Sequence, residues 1–408
     1  MTILLMPRKP APADEGALFD GLTRQPADPL LGLTALFEAD RRPDRLDLGV
    51  GVFRDEQGAT PIMRSVKAAE GRLLERQDTK AYLGTEGDPL FVRYLADLVL
   101  GPERADDPRL TGIQTPGGTG ALRLGAELLA GARPDATVWI GTPTWPNHAP
   151  IFRQAGLSVR MHRFFDPSRS DVDLDAMLAD LANARPGDVV VLHGCCHNPT
   201  GVTLTAAQWA LVVRFCSTRG LVPFVDLAYH GLGDGLEADV APTLALLEAM
   251  PEALLAYSCD KNFGLYRDRV GALWVQGATP GSATLVRGHL QALARSMWSM
   301  PPDHGAAIVR EILTESVLKE DWKAELETMR GRINGLRAAL AALHPALAPI
   351  GRQRGMFALL PVTPANVAAL RVDHGIYMAD SGRINIAGLR TASIDRFVKQ
   401  LGPFLPAL

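Results

Sequence analysis

Short apolar runs alternate with helix-period segments through the middle of the chain. The runs are Thr137–Ile140, Ser158–Met161, Val189–Leu192, Leu221–Val225, Ala253–Tyr257 and Ala272–Val275. Apolar runs this short, bounded by turn residues, predict strands of a mainly parallel sheet covered on both faces. Leu174–Leu181 and Ala206–Cys216 between them, and Leu122–Leu129 ahead of them, carry helical spacing. The alternation predicts an α/β fold with an open, doubly wound, mostly parallel sheet. Pro223 cannot donate to a ladder, which weakens the fourth run as a central strand unless the proline sits near its start.

From Asp303 to Leu343 the pattern becomes helical, with Leu326, Met329, Ile333, Leu336 and Leu340 forming a core-facing stripe. Gly331 and Gly335 are the positions where that helix would weaken. After Pro345 the segments shorten: Met356–Leu360, Val367–Val372, Arg383–Ile386 and Ile394–Leu401. They predict a second, smaller α+β domain. The expected division is 62–330 for the large domain and 17–61 plus 331–408 for the small one. Residues 1–16 are expected to be a poorly ordered extension.

Composition narrows the function without choosing it. The chain has 408 residues, 47% hydrophobic and 21% charged, with a net charge of −3. These values exclude a disordered or fibrous chain and leave no basic footprint for nucleic acid. No apolar stretch approaches the roughly 18–20 residues of a membrane span. The N-terminal run Ile3–Met6 is too short for a secretory core, and its charges follow it, so a cytoplasmic location is expected. Cys195, Cys196, Cys216 and Cys259 form no CxxC pair. Cys195 and Cys196, read on a strand, point to opposite faces, so no metal site is expected with His193 and His197.

The candidate chemistry lies where the predicted strands end. Asn198 follows Val189–Leu192, Asp226 follows Phe224-Val225, with Tyr229 three residues on, and Lys261 follows Ala253–Tyr257. Ligands of open α/β sheets bind at the carboxyl ends of strands. An ammonium at the end of a buried strand is costly, and a lysine that sheds its proton becomes a nucleophile for carbonyl carbon. Asn, Asp, Tyr and Lys in this order form a toolkit for holding pyridoxal phosphate (PLP) as a Schiff base. Taken singly, the residues read equally as a loop Asn, a helix-capping Asp and a solvated Lys. Gly117-Gly118-Thr119-Gly120 opens a helix and reads either as an anion cradle or as a plain tight turn. It lacks the spacing of an ATPase or dinucleotide loop.

From about Asp28-Pro29 to the C-terminus the chain resembles the class I aminotransferases of PLP fold type I, specifically the aspartate and aromatic amino-acid enzymes. The resemblance rests on Leu48-Gly49-Val50-Gly51-Val52, Tyr82-Leu83-Gly84, Thr115 to Leu122, and Thr144-Trp145-Pro146-Asn147-His148. It continues through His193 to Gly201, Lys261 to Tyr266, and Ser381-Gly382-Arg383-Ile384-Asn385. It implies that Lys261 is the Schiff-base lysine and proton shuttle, and that Asp226 faces the pyridine nitrogen. Asn198 and Tyr229 would bind the ring 3-oxygen, and Trp145 would stack on the ring. Gly118, Thr119, Ser258 and Arg269 would hold the phosphate, with Tyr82 arriving from a second subunit. His148 and His193 would stand behind Asp226. Arg383 would clamp the substrate α-carboxylate beside Gly51, and Arg295 would reach across a homodimer to the distal carboxylate.

The implied activity is ping-pong transamination between an aromatic or acidic amino acid and 2-oxoglutarate. Decarboxylation or elimination on the same fold, and a non-catalytic PLP-fold regulator, are the alternatives. Three residues depart from the family pattern. Cys259 and Trp298 replace usual tyrosines, and Asp260 replaces a common serine just before the lysine. The Asp260 side chain is expected to point away from Lys261.

Overall fold

The computed structural model describes residues 19, 21–23 and 29–406. The expected extension at 1–16 lies outside the described residues. The central sheet has seven strands, in the order 110–116, 270–276, 253–258, 222–227, 189–193, 137–142 and 158–163. Strand 270–276 is antiparallel to both of its neighbours, and every other pairing is parallel. Strand 110–116 therefore runs in the same direction as the parallel set.

All six expected runs are strands of this sheet. Strand 110–116, by contrast, is not signalled by an apolar run. Its residues Leu-Thr-Gly-Ile-Gln-Thr-Pro include Gln114 and Thr115, both buried. Gln114 is satisfied there by the Asp88 amide, whose N–H it accepts at 2.8 Å, and by donating to the Pro302 carbonyl at 2.7 Å. Strand 222–227 sits at the centre despite Pro223. The Val222 N–H bonds the Asp188 carbonyl on the 189–193 side. The Pro223 nitrogen therefore faces the 253–258 side, where pairing begins only at Phe224↔Leu254. The missing donor falls just outside the ladder.

Alternation along the strands divides the core between the two faces of the sheet. Val189, Val191, Phe224, Leu254 and Ala256 pack with Leu122, Leu124 and Leu128 of helix Gly117–Ala132. Val190, Leu192, Val225, Leu255 and Tyr257 face the opposite side, against Trp209 and Val212 of helix Ala206–Arg219. Each fully buried side chain of this kind contributes about 1.5–3 kcal/mol of transfer free energy.

Helix Ser316–Leu343 runs unbroken through Gly331 and Gly335, because Trp322, Leu326, Met329, Ile333, Leu336 and Leu340 all bury on one face. Fully buried Arg337 ties this helix to the 350–357 segment by donating to the carbonyls of Gly355, Arg354 and Phe357. Beyond it, strand 357–359 pairs antiparallel with 383–385, and Leu46-Asp47 pairs parallel with Ile376-Tyr377. Asn385 donates to the carbonyls of both Val50 and Val52 at 2.7 Å, which fixes the 49–52 loop. Among the described residues no helix is long and apolar enough to cross a membrane.

Buried histidines make this core sensitive to acid. His230 bonds the Tyr257 hydroxyl at 2.9 Å and the Leu236 carbonyl at 2.7 Å. Burial holds its pKa down to about 4 against the Leu236 carbonyl, which favours the proton. The unfolded chain takes up this proton near pH 6.5, before the folded chain does. Stability from this group is thus complete above pH 6.5 and declines as pH falls toward 4. Its contribution over that window is on the order of 3 kcal/mol, at about 1.4 kcal/mol per pH unit. Urea unfolding at pH 7 and pH 5 is expected to show a loss that shrinks in His230→Gln; an unchanged pH slope in that variant would rule the assignment out.

Candidate functional site

The segments that leave the sheet at its carboxyl edge converge on a cavity of about 240 Å³. Gly118 and Thr119 come from the helix after strand 110–116, Asn198 from the loop after 189–193, and Asp226 and Tyr229 from the end of 222–227. Ser258, Asp260 and Lys261 follow strand 253–258, and Trp145 follows strand 137–142. Arg269 reaches the same cavity because it precedes the reversed strand 270–276, whose first residue stands at that edge.

Lys261 is largely buried, with its side chain 22% exposed. Burial lowers its pKa. Asp260 pulls it back up, Arg269 pushes it down, Asp226 raises it, and burial prevails. Asp226 is buried in the same cavity. Burial pushes its pKa up, yet the hydrogen bond from His148 and the fields of His148, His193 and Lys261 hold it below the usual carboxylate range. His148 Nε2 lies 3.0 Å from Asp226 Oδ2, and Nδ1 lies 2.8 Å from the Thr144 hydroxyl. A carboxylate only accepts, so Nε2 carries the proton. The Thr144 hydroxyl, which can donate or accept, partners Nδ1. His193 stacks edge-on to His148 at 5.1 Å, and burial and then His148 hold its pKa down to about 3.

The opposite end of the cavity suits an anion. Helix Gly117–Ala132 has no side-chain cap, so the Gly118 and Thr119 amides point into the cavity without a capping partner. Gly117 has φ +71°, and a Cβ there would stand 2.5 Å from Arg269 Nη2. A Cβ on Gly118 would stand 3.0 Å from Ser258 Cβ. The glycines therefore keep open a cradle walled by Arg269 and Ser258.

Asn198 donates to the Tyr229 hydroxyl at 3.4 Å, and its buried Oδ1 has no partner in the protein. The Tyr229 pKa is pushed far up by burial and the Asp226 charge. Arg383 adjoins this group through Phe357, whose ring makes an edge contact with Tyr229 at 6.1 Å. The Arg383 guanidinium sits 4.7 Å from the centre of the same ring and donates to the Gly49 carbonyl at 2.8 Å. Its Nε is buried and unpaired. Gly51 is required there, because a Cβ would lie 2.7 Å from Phe357 Cζ.

Four expected binding residues do not line the cavity: Arg383 and Gly51, which adjoin it through Phe357, and Tyr82 and Arg295, which lie apart from it in their own chain. Tyr82 is 93% exposed, and exposed Arg295 donates to the Ser299 hydroxyl at 2.7 Å. The Asp260 expectation is overturned. Its side chain turns inward, pairs with Arg269 and lies 3.7 Å from Lys261 Nζ. The cysteine geometry is corrected too. The chain bends after His193, so Cys195 and Cys196 do not alternate as on a strand. Their sulfurs and an Asp239 carboxylate oxygen lie within 4.8 Å of one another. Asp239 already accepts three backbone N–H bonds, from Gly231, Gly233 and Asp234. Phe357 went unnoticed in the sequence, since nothing local marks a ring that will lie under an arginine 26 residues later.

The family model for aminotransferase class I and II matches residues 43–401. A tyrosine aminotransferase of Rhizobium meliloti (strain 1021) is 53% identical over 381 residues, covering 92% of this chain and 97% of that protein. An aspartate aminotransferase of Escherichia coli (strain K12) is 41% identical over 380 residues, covering 91% and 96%. Among solved structures, an aromatic-amino-acid aminotransferase from Burkholderia pseudomallei, covalently bound to pyridoxal phosphate, superposes with a TM-score of 0.92. It is 39% identical and covers 96% of this chain and 100% of that one.

The glycine pair yields a stability test. Gly117→Ala forces a Cβ into left-handed backbone, at about 1–2 kcal/mol, and presses on Arg269. Gly118 has no positive φ, so Gly118→Ala is expected to cost less. Chemical unfolding of both variants checks this, and equal losses would contradict it.

Proposed function

The chain belongs to the aminotransferase class I and II family, and on that premise we propose that it transaminates aromatic or acidic amino acids with 2-oxoglutarate, in ping-pong order, as a homodimer. The observation that carries this is a buried Lys261 amine, held below its usual pKa, in one cavity with the Asp226 carboxylate and an anion cradle of Gly118, Thr119, Ser258 and Arg269.

The cofactor is pyridoxal 5′-phosphate. The residues present fit it. Gly118, Thr119, Ser258 and Arg269 suit the phosphate, and the unpartnered Asn198 Oδ1 and the Tyr229 hydroxyl suit the ring substituents. When bound, it supplies an aldehyde carbon for the amino group and a ring that accepts the electron pair released at the substrate Cα.

The protein residues do the rest. Lys261 supplies the amine that fixes the cofactor to the chain, and then the base that moves the Cα proton. Asp226, kept ionised by His148, holds a proton on the ring nitrogen. Trp145 would pack the ring face, and Tyr229 with Asn198 would hold the 3-oxygen. Arg383 takes the α-carboxylate; its unpaired Nε and its seat on Phe357 support that role. Gly51 leaves room beside it. Both substrates use the same cavity in turn, which is the physical basis of ping-pong order. Exposed Tyr82 and Arg295 support a dimer in which each enters the partner's site, Tyr82 at the phosphate and Arg295 at a distal carboxylate. The proposed 62–330 and 17–61 plus 331–408 domains would then meet across Arg383 and Lys261. Four buried free cysteines suit a reducing, cytoplasmic setting.

Borohydride reduction followed by peptide mass analysis is expected to find the cofactor on the Lys261 peptide and nowhere in Lys261→Ala. Transamination in that variant should fall by roughly 10³-fold or more, since a positioned base alone contributes about 10²–10⁴. An adduct on another lysine would overturn the assignment. Arg295→Ala is expected to lower kcat/KM for aspartate about 10-fold to 100-fold, from the loss of about 1.5–3 kcal/mol in charge-assisted bonds. Phenylalanine should be nearly unaffected. Equal losses for both substrates would remove Arg295 from the distal-carboxylate role.

A further inference from the structure

Every cationic group at the anion end of the cavity already has an acidic partner. Asp260 is 3% exposed, and its Oδ2 pairs with Arg269 Nη1 and lies 3.7 Å from Lys261 Nζ. Its Oδ1 is buried and has no partner. Its backbone N–H donates to the Ser258 hydroxyl at 3.2 Å, so the same residue also engages the hydroxyl side of the cradle. The carboxylate lines the cavity together with Gly118 and Thr119, whose helix amides would receive an anion.

We propose that Asp260 is a built-in anion of the phosphate cradle, holding Arg269 in the absence of cofactor and opposing the cofactor's phosphate when it enters. This rests on the PLP-dependent reading of the site. Asp260 is set on the cavity wall by strand 253–258, which ends two residues before it, and by Arg269 at the root of strand 270–276. Its side chain is only 4% exposed, so water screens its charge little. A phosphate brought to Arg269 and the helix amides would therefore face a fixed carboxylate, and like charges juxtaposed in a desolvated site disfavour binding. The Asp260–Arg269 pair must loosen for the phosphate to gain a bidentate fork from the guanidinium. Cofactor affinity is thereby set lower than the remaining donors of the cradle would give.

The experiment measures the dissociation constants of PLP and of pyridoxal for the full chain after cofactor removal, in phosphate-free buffer. Wild type is compared with Asp260→Asn and Asp260→Ser. Asn removes the charge at nearly constant shape, and Ser replaces the acid by a hydroxyl donor. Thermal unfolding establishes which variants are folded, and Asn alone suffices if Ser is not. Both substitutions are expected to tighten PLP binding at least tenfold. Pyridoxal, which has the ring and aldehyde without the phosphate, should gain less than threefold. Unchanged or weaker PLP binding overturns the proposal. So does an equal gain for pyridoxal, which would show that Asp260 acts on Lys261 instead. Failure of the wild type to form the Lys261 adduct on borohydride reduction would instead sink the underlying reading, a separate readout from the affinity ratio.

Discussion

The structure depends on one unfavourable burial. An amine is carried out of water at the carboxyl edge of a sheet, where nothing apolar welcomes its charge. Asp260 and Asp226 favour the proton on Lys261, Arg269 disfavours it, and desolvation decides the direction. A lysine whose pKa is lowered in this way is a nucleophile and a base without a dedicated activating partner. Exposure of the same side chain to solvent would remove both properties. The packing behind strand 253–258, buried at every position, is therefore part of the chemistry.

Topology explains why so few residues suffice. In a fully parallel sheet only strand ends followed by loops would contribute to the carboxyl edge. Here strand 270–276 is reversed, so the residue before it, Arg269, stands beside the residues after its neighbour 253–258. The register Gly271↔Ser258 and Gly271↔Thr115 sets Arg269 between Ser258 and the helix that begins at Gly117. Arg269 itself takes φ +55°, an unusual conformation for a residue with a Cβ, which turns its guanidinium over the helix N-terminus. A single antiparallel strand thus adds a cation to a site otherwise built from loops.

Much of this was legible in the chain. The six apolar runs became strands because burial on both faces leaves short, uninterrupted hydrophobic stretches, and Asn198, Asp226 and Lys261 lie where those stretches stop. Strand 110–116 was not legible, since its buried Gln114 is satisfied by partners 26 and 188 positions away. Pro223 misled for a local reason: which side of a strand a nitrogen faces depends on register, which composition does not encode. Asp260 misled for a similar reason. Its inward turn is set by Arg269 across an antiparallel register, whereas sequence adjacency to Lys261 suggested only that consecutive side chains diverge. The expectation for Tyr82 and Arg295 came from the family pattern alone, and nothing within one chain brings them to the cavity.

The two carboxylates of the cavity illustrate how one chemical group is given opposite tasks. Asp226 is held by a histidine whose other nitrogen is itself pinned by Thr144, so its charge is maintained by a chain of oriented hydrogen bonds. Asp260 is held by the Arg269 guanidinium, a full positive charge that is 40% exposed. The first arrangement is rigid and tolerates only a partner that carries a proton toward it. The second is an ion pair whose acid is buried and whose cation alone reaches solvent. Lys261 Nζ lies 3.7 Å from Asp260, and its proton affinity answers to both carboxylates and to Arg269, so a change in the Asp260–Arg269 pair changes the field at the amine.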